Sequence, residues 1–238
     1  MTKKIILLGL SMMLFIGVSG CMAKQKPEVD VKAEVEKYLK EKYNENFTVT
    51  GGGTESWDSP DTEIYAKPEK FPEERVMVRR GKKTGGMIDN YMDYLMKSKI
   101  EKVMTEIISP IYPKSKVLYD AGGAPLDGTY PDMSVDGYLS YISIHPKISL
   151  TICVSDPEYK TNRDEKAEEL RKKFEERQYR GNFAIFYMLE GKLEVITEAS
   201  KKELYHLYSR SKWCSMMGFF TMDDSYNYYD SDEWEEIK

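Results

Sequence analysis

Histidine and cysteine, which often hold metals or form nucleophile–base pairs, are scarce in this chain. It has two histidines and three cysteines in 238 residues. His145 and His206 each lie eight residues before a cysteine, Cys153 and Cys214, so these four side chains could form a tetrahedral zinc set. Their spacing matches no usual zinc knuckle, and we predict solvated histidines, core thiols and no bound metal.

The motifs of common hydrolases and nucleotide-binding proteins are also missing. There is no Gly-x-Ser-x-Gly nucleophile elbow. Ser209–Lys212 and Lys83–Gly85 match two short strings of penicillin-interacting enzymes, but in reversed order and without the Ser-Asp-Asn element. A phosphate-binding loop at Gly81-Lys82 would need a glycine where Val76 stands, which favours a hairpin or solvated connection. We predict no catalytic residues and no cofactor, although 40 acidic residues leave a carboxylate-pair glycosidase open.

Neither sign of charge is concentrated in a long block of the chain. Lysine and arginine total 35, against 40 aspartates and glutamates. A protein that binds nucleic acid normally carries a basic patch, so we expect no nucleic-acid partner. With 41% hydrophobic residues the chain can bury a core and is not a disordered tail.

A long apolar run occurs only at the amino end. Lys3 and Lys4 precede a mostly apolar stretch from Ile5 to Val18. A transmembrane helix needs about 20 apolar residues, so this run is short for a membrane span. A basic start, a short apolar core and small residues after it are typical of an export signal.

The end of this run carries a motif for lipid attachment. Val18, Ser19, Gly20 and Cys21 resemble the lipobox of bacterial lipoproteins. The resemblance implies transfer of diacylglycerol to the Cys21 thiol and cleavage before it, so that residues 1–20 are a signal peptide. We therefore predict a lipid anchor on the extracytoplasmic face of the cell membrane. An ordinary secreted protein is the alternative.

The predicted mature chain begins with a tether. Two acyl chains hold a protein stably on a bilayer, whereas one binds reversibly. Residues 21–28 are polar after the cysteine and contain Pro27, as expected of a linker. Outside the cytoplasm Cys153 and Cys214 could form a disulfide, but we favour two buried thiols.

Apolar periodicity predicts an α+β fold whose first half spans residues 29–121. We expect a helix, a meander of about three strands, a second helix preceded by a cap at Asp89, and a further strand. The predicted helices are residues 29–44 and 92–108, and the strands are residues 47–49, 64–66, 75–79 and 116–121.

A loop at residues 122–132 separates this half from a second, residues 133–222. After a short helix at 133–143, the order β-α-β-β-α-β predicts a ferredoxin-like arrangement, with another α+β sandwich as the alternative. The strands are 148–154, 183–189, 193–197 and 214–222, and the helices are 161–178, with a capping box at Asn162 and Glu165, and 200–208. Residues 223–238 form an acidic, aromatic tail that is either solvated or docked across the sheet.

The segment Val35–Val49 (VEKYLKEKYNENFTV) resembles the opening of small uncharacterised lipoproteins from Gram-positive bacteria. The resemblance implies extracytoplasmic localisation and no assigned activity. Together these features predict a non-catalytic binding or interaction module with an unknown protein or envelope partner. An envelope-acting hydrolase is the first alternative. A solute-binding lipoprotein is the second, and it would need two lobes around a cleft.

Overall fold

The computed structural model describes residues 30–52, 59–145, 147–222, 228–230 and 234–237. The predicted signal peptide, Cys21 and the tether lie outside the described residues, as does much of the acidic tail. In the described ranges, no helix is both long enough and apolar enough to cross a membrane.

Helices and strands alternate irregularly along the chain. The helices are α1 (Val31–Tyr43), α2 (Tyr91–Ile108), α3 (Val135–Ile144), α4 (Tyr159–Glu176), α5 (Lys192–Val195) and α6 (Glu198–Tyr205), with a 3₁₀ helix at Arg210–Lys212. The strands are β1 (Phe47–Gly52), β2 (Asp61–Pro68), β3 (Val76–Gly81), β4 (Met87–Asp89), β5 (Ser115–Tyr119), β6 (Ile148–Val154), β7 (Gly181–Met188), β8 (Cys214–Met222), β9 (Tyr228–Asp230) and β10 (Glu235–Glu236).

The first sheet is a four-stranded antiparallel meander in the order β1-β2-β3-β4. Helix α1 packs on it, since Val35 and Leu39 lie four residues apart on one helix face and are both buried. The Asp30 carboxylate accepts hydrogen bonds from two backbone N–H groups of the first turn, which caps the start of α1. The predicted helix and meander are confirmed.

The second sheet is mixed, in the order β10-β8-β7-β6-β5, with β9 also paired to β8. Strands β6 and β7 are parallel neighbours joined through α4, and the other pairs are antiparallel. One face packs against α2, α3 and α4 in a large apolar core. The opposite face is covered by α5, α6 and the 3₁₀ helix, over a smaller core that includes Cys153 and Cys214. The α+β class is confirmed.

The ferredoxin-like order of the second half is not what the strands form. That order needs a strand between the two parallel strands, whereas β6 and β7 pair directly along their lengths. The predicted strand at 193–197 is instead helix α5 and the residues after it. Leu193 and Ile196 explain the difference, because they lie three apart and contact the same core, which matches helical spacing.

The two sheets share helix α2, and the sheet boundary does not follow the predicted loop at 122–132. Strand β5, placed by the sequence in the half spanning 29–121, pairs antiparallel with β6 of the second sheet. Tyr91 at the start of α2 packs in the core of the first sheet, while Met96 and Ile100 pack in the large core of the second. The division of the chain into halves at residues 29–121 and 133–222 stays a prediction.

Two predicted helix caps differ from the structure. The N-cap of α4 is Glu158, without a capping side-chain bond, and Asn162 and Glu165 lie inside the helix. Its first turn forms earlier because the Asp156 carboxylate accepts the Glu158 N–H at 2.9 Å. The N-cap of α2 is Asn90, and Asp89 has a different role, described below.

The described part of the tail docks on the sheet edge. Strand β10 pairs with β8, and the Trp234 indole N–H donates to Asp164 at 2.7 Å. A Cβ atom on Gly218 would lie 2.6 Å from the Trp234 ring, so the indole can rest there only on a glycine. Docking of an aromatic residue thus secures this edge.

Candidate functional site

Two buried aspartates form a polar cluster at the amino end of α2. Asp89 is 1% exposed and Asp93 is 8% exposed. Carboxylates are favoured at this position because the helix dipole is positive there. We call the two aspartates and their tyrosine partners, Tyr38, Tyr43, Tyr119 and Tyr138, the tyrosine–aspartate cluster.

Asp89 joins α1 to the start of α2. One carboxylate oxygen accepts the Tyr43 hydroxyl at 2.6 Å and the Tyr91 backbone N–H at 2.9 Å. The other accepts the Tyr38 hydroxyl at 2.7 Å and the Lys42 ammonium at 2.8 Å. Tyr38 and Lys42, four residues apart, share one face of α1, and Tyr43 reaches the same carboxylate from the next position. The buried Asp89 carboxylate needs the Lys42 ammonium and the tyrosine hydroxyls, because an unpaired charge inside the protein would cost folding free energy.

Asp93 joins α2 to β5, to the following loop and to α3. One oxygen accepts the hydroxyls of Tyr119, at 3.1 Å, and of Tyr138. The other accepts the Gly123 backbone N–H at 3.0 Å. Burial raises the pKa of Asp93, and the hydrogen bonds from Tyr138, Tyr119 and Gly123 oppose the rise without cancelling it. Burial, followed by the Asp93 charge, raises the pKa values of Tyr119 and Tyr138 well above the ordinary tyrosine range.

A small cavity adjoins both aspartates. It measures about 70 Å³, and its lining includes Asp89, Asp93, Asp120, Lys147 and Ser149. Pockets that take drug-sized ligands measure about 300–1,000 Å³, so this cavity suits ordered water rather than a sugar ring or a nucleotide.

Asp120, the third aspartate of the cavity, is held on the second sheet. One oxygen accepts the Ser149 hydroxyl at 3.0 Å, and the other forms an ion pair with Lys201. Lys201 also pairs with Glu198 at the start of α6. Burial would lower the pKa of Lys201, but the bonds to Asp120 and Glu198 outweigh it and raise that pKa. This network ties α6 to the sheet.

All six carboxylate oxygens of Asp89, Asp93 and Asp120 accept a hydrogen bond from the chain itself. A general acid or base must reach a substrate atom at hydrogen-bond distance. These carboxylates are instead occupied in joining helices to strands. The contacts seen in the structure make the cluster a buried polar scaffold.

The four residues of the conceivable zinc set lie in different environments. His145 and His206 are exposed, whereas Cys153 and Cys214 are buried free thiols. Within the residues that the structure describes, no group of three or more metal-ligating side chains comes together. Each histidine precedes its strand, and each thiol lies within one.

The short segments that resemble enzyme motifs, at residues 81–85 and 209–212, lie in turns. The segment Gly81–Gly86 closes the β3–β4 hairpin, with the Gly81 N–H donating to the Gly86 carbonyl at 2.9 Å. The hairpin predicted at Gly81-Lys82 is confirmed. The Ser209 hydroxyl donates to the Glu203 carbonyl at 3.1 Å, so it stabilises the turn after α6.

The sequence reasoning missed the tyrosine–aspartate cluster. Its only sequence signal is two aspartates, Asp89 and Asp93, four residues apart at the start of a strongly apolar helix. The tyrosines on Asp89 lie 46 and 51 residues away along the chain. Such distant donors are brought together only by the packing of α1 on the first sheet.

We expect the two core thiols to react slowly. Burial raises the pKa of Cys153 to about 12 and that of Cys214 to about 11. Only the thiolate reacts with a disulfide reagent, so native labelling at pH 8 should be roughly 100-fold slower than labelling in denaturant. The measurement is Ellman's reagent on a Cys21→Ala variant that retains only these thiols. Equal rates in the two conditions would contradict it.

Comparison with known proteins adds little. No protein-family model matches the chain, and no curated protein is similar to it. A crystal structure at 2.55 Å resolution of a DUF5037 family protein from Ruminococcus gnavus ATCC 29149 is similar over 87% of this chain and 95% of its own. The sequence identity is 12% and the TM-score is 0.42. The role of this chain therefore has to be inferred from its own residues.

Proposed function

We propose that the protein is a lipoprotein anchored on the extracytoplasmic face of the cell membrane by lipid on Cys21. Its folded part is a non-catalytic binding or interaction module. The anchor is supported by the basic start, the short apolar run and the segment Val18–Cys21 at its end. The first described residue, Asp30, caps α1 and follows Cys21 by nine residues.

The non-catalytic role is supported above all by the structural hydrogen bonds of the buried carboxylates. Asp89 and Asp93 are the most buried aspartates beside the cavity, and each of their oxygens already accepts a bond from the chain. Cys153 and Cys214, the two thiols within the described residues, lie inside the core. A folded surface can act by binding alone.

A lipid tether suits a modest binder. Confinement near the bilayer raises the effective concentration of a weakly binding surface, so a small contact area is enough. The partner is an extracytoplasmic protein or envelope component. Without Lys3 and Lys4, 33 basic residues face 40 acidic ones, a formal charge of −7, which disfavours nucleic acid.

An envelope-acting hydrolase is the second candidate, and Asp93 is the observation in its favour. A carboxyl group with a raised pKa beside a cavity is a feature of general acids. The cavity of about 70 Å³ and the three donors on Asp93 weigh against it. Turnover of an envelope polymer that an Asp93→Asn variant loses while keeping its fold would support the hydrolase.

We expect a Cys21→Ala variant to lose the anchor. The substitution removes the sulfur that would carry the lipid, so neither diacylglycerol attachment nor cleavage should occur. The measurement is incorporation of an azide-bearing fatty acid in bacterial cells, together with the intact mass of the purified protein. Wild type should carry label and begin at Cys21, and the variant should carry none.

A Cys214→Ala variant is the matched control, since it removes a thiol of the core and should keep full labelling. Equal labelling of the Cys21→Ala variant and wild type would refute the anchor. The binding role is tested by recovering partners from solubilised membranes with lipidated wild type, using the Cys21→Ala variant as control. Identical protein profiles for the two would count against an interaction module at the membrane.

A further inference from the structure

The connection between α6 and the 3₁₀ helix exposes a cluster of large side chains. We call Tyr205, His206, Leu207 and Tyr208 the 205–208 tip. Tyr208 is 87% exposed, Leu207 is 70% exposed and Tyr205 is 44% exposed. Other large exposed apolar residues in the described ranges lie singly along the chain. Single exposed residues are ordinary, whereas a contiguous group indicates an interaction surface.

Contacts with the second sheet and with the following turn hold the tip in place. The Tyr205 hydroxyl lies 2.6 Å from the Thr151 hydroxyl, and its ring packs edge-on against Phe186 with centroids 5.3 Å apart. The backbone N–H groups of Ser209 and Arg210 both donate to the His206 carbonyl, at 3.1 and 3.0 Å. Because the turn is already ordered, burying its outer side chains requires little further loss of conformational entropy.

The charges around the tip suit an anionic surface. Lys202 precedes the tip in the chain and Lys212 follows it, and both are exposed, while Glu203 is half-buried. Nearby basic groups are used internally, since Arg210 pairs with Glu235 at 2.9 Å and Lys201 pairs with Asp120. Tyrosine rings, leucine and long lysine side chains are the residues that settle at the membrane–water boundary, with the lysine charge extending to the headgroups.

A lipid on Cys21 would hold the folded domain close to the bilayer. Asp30 follows Cys21 by nine residues, which span at most about 30 Å when extended. A domain of roughly 200 residues has a radius of gyration near 16 Å. The tether reach is comparable to the size of the domain, so the anchor leaves the domain free to turn more than one face towards the membrane.

We propose that the 205–208 tip is a second membrane contact, in which Leu207 and Tyr208 enter the headgroup layer and Lys202 and Lys212 contact anionic lipid. The location of this contact rests on the proposed lipid anchor. Binding by the tip itself needs no lipid on the protein. With the tip engaged, the domain would lie on the bilayer in one orientation.

The test uses the chain from residue 22 onward, which retains all described elements and lacks the anchor. Its partition coefficient is measured by sedimentation with phosphatidylcholine vesicles, with and without phosphatidylglycerol. We expect binding to the anionic vesicles that weakens as salt is raised. A Leu207→Ser/Tyr208→Ser variant should partition about tenfold less, since it loses two apolar side chains.

An Ile144→Ser/Tyr130→Ser variant is the matched control. It removes one aliphatic and one tyrosine side chain that are 64% and 60% exposed, outside the tip, and should partition as wild type. No binding of the unmodified chain, or equal losses in both variants, would overturn the proposal. The proposal would also be overturned if sedimentation velocity showed a dimer for wild type and the control variant but a monomer for the tip variant. The tip would then bind a second copy of the chain. The Cys21→Ala labelling experiment reports on the anchor separately.

Discussion

A Gly181→Ala variant is expected to lose more than about 3 kcal/mol of folding free energy, although the substitution adds only one methyl group. Gly181 begins β7 and lies opposite Ile148, the first residue of β6, in the parallel pair. A Cβ at this position would lie 1.8 Å from the Ile148 carbonyl oxygen and 2.6 Å from its carbonyl carbon. Both are backbone atoms, so the strands would have to separate. Urea denaturation followed by circular dichroism measures the loss.

Gly51→Ala is the matched control. Gly51 also lies in a strand, and a Cβ there would meet no atom within 4 Å. We expect its free energy of unfolding to stay within about 0.5 kcal/mol of wild type. If the two alanine variants were equally stable, the close approach of β6 and β7 at Gly181 would be refuted.

An Asp93→Ala variant is expected to lose about 3 kcal/mol or more, because the substitution removes the acceptor of three buried donors. The Tyr119 and Tyr138 hydroxyls and the Gly123 N–H would be left without it. Asp93→Asn keeps the shape and one acceptor oxygen, so its loss should be smaller. Chemical denaturation at neutral pH measures both. An alanine variant as stable as wild type would show that the tyrosine–aspartate cluster does not hold α2, β5 and α3 together.

The Asp93→Asn variant also predicts a pH dependence. The pKa of Asp93 is raised in the folded state by burial, so the folded protein holds this proton more tightly than the unfolded chain. The corresponding stability is fully present below the unfolded carboxyl pKa of about 3.9 and is lost as pH rises through the folded pKa. The stability of wild type relative to Asp93→Asn should therefore fall as pH rises through this window.

Denaturation at a series of pH values checks this relation. Asp132→Asn, at an exposed position, serves as control and should follow wild type at constant separation. A difference between wild type and Asp93→Asn that is constant with pH, or that grows as pH rises, would contradict a raised pKa for Asp93.

Local pattern was sufficient for much of the secondary structure. Strands β6 and β8 begin and end at the predicted residues, because their continuous apolar character depends only on neighbours in sequence. Helix α2 follows from its apolar stripe in the same way. The segment at 193–197 was misassigned, since a short apolar run fits strand and helix equally until the core it contacts is known.

The sequence by itself determined the α+β class, most helices and strands, and the prediction of lipid on Cys21. A lipobox can be predicted from sequence because the enzymes that recognise such a motif act on a linear segment. Tertiary structure alone decided that β6 and β7 are direct neighbours, that β5 belongs to the second sheet, and that Asp89 and Asp93 accept hydrogen bonds from distant tyrosines. These features depend on contacts between residues far apart in the chain, and short-range periodicity carries no information about such contacts.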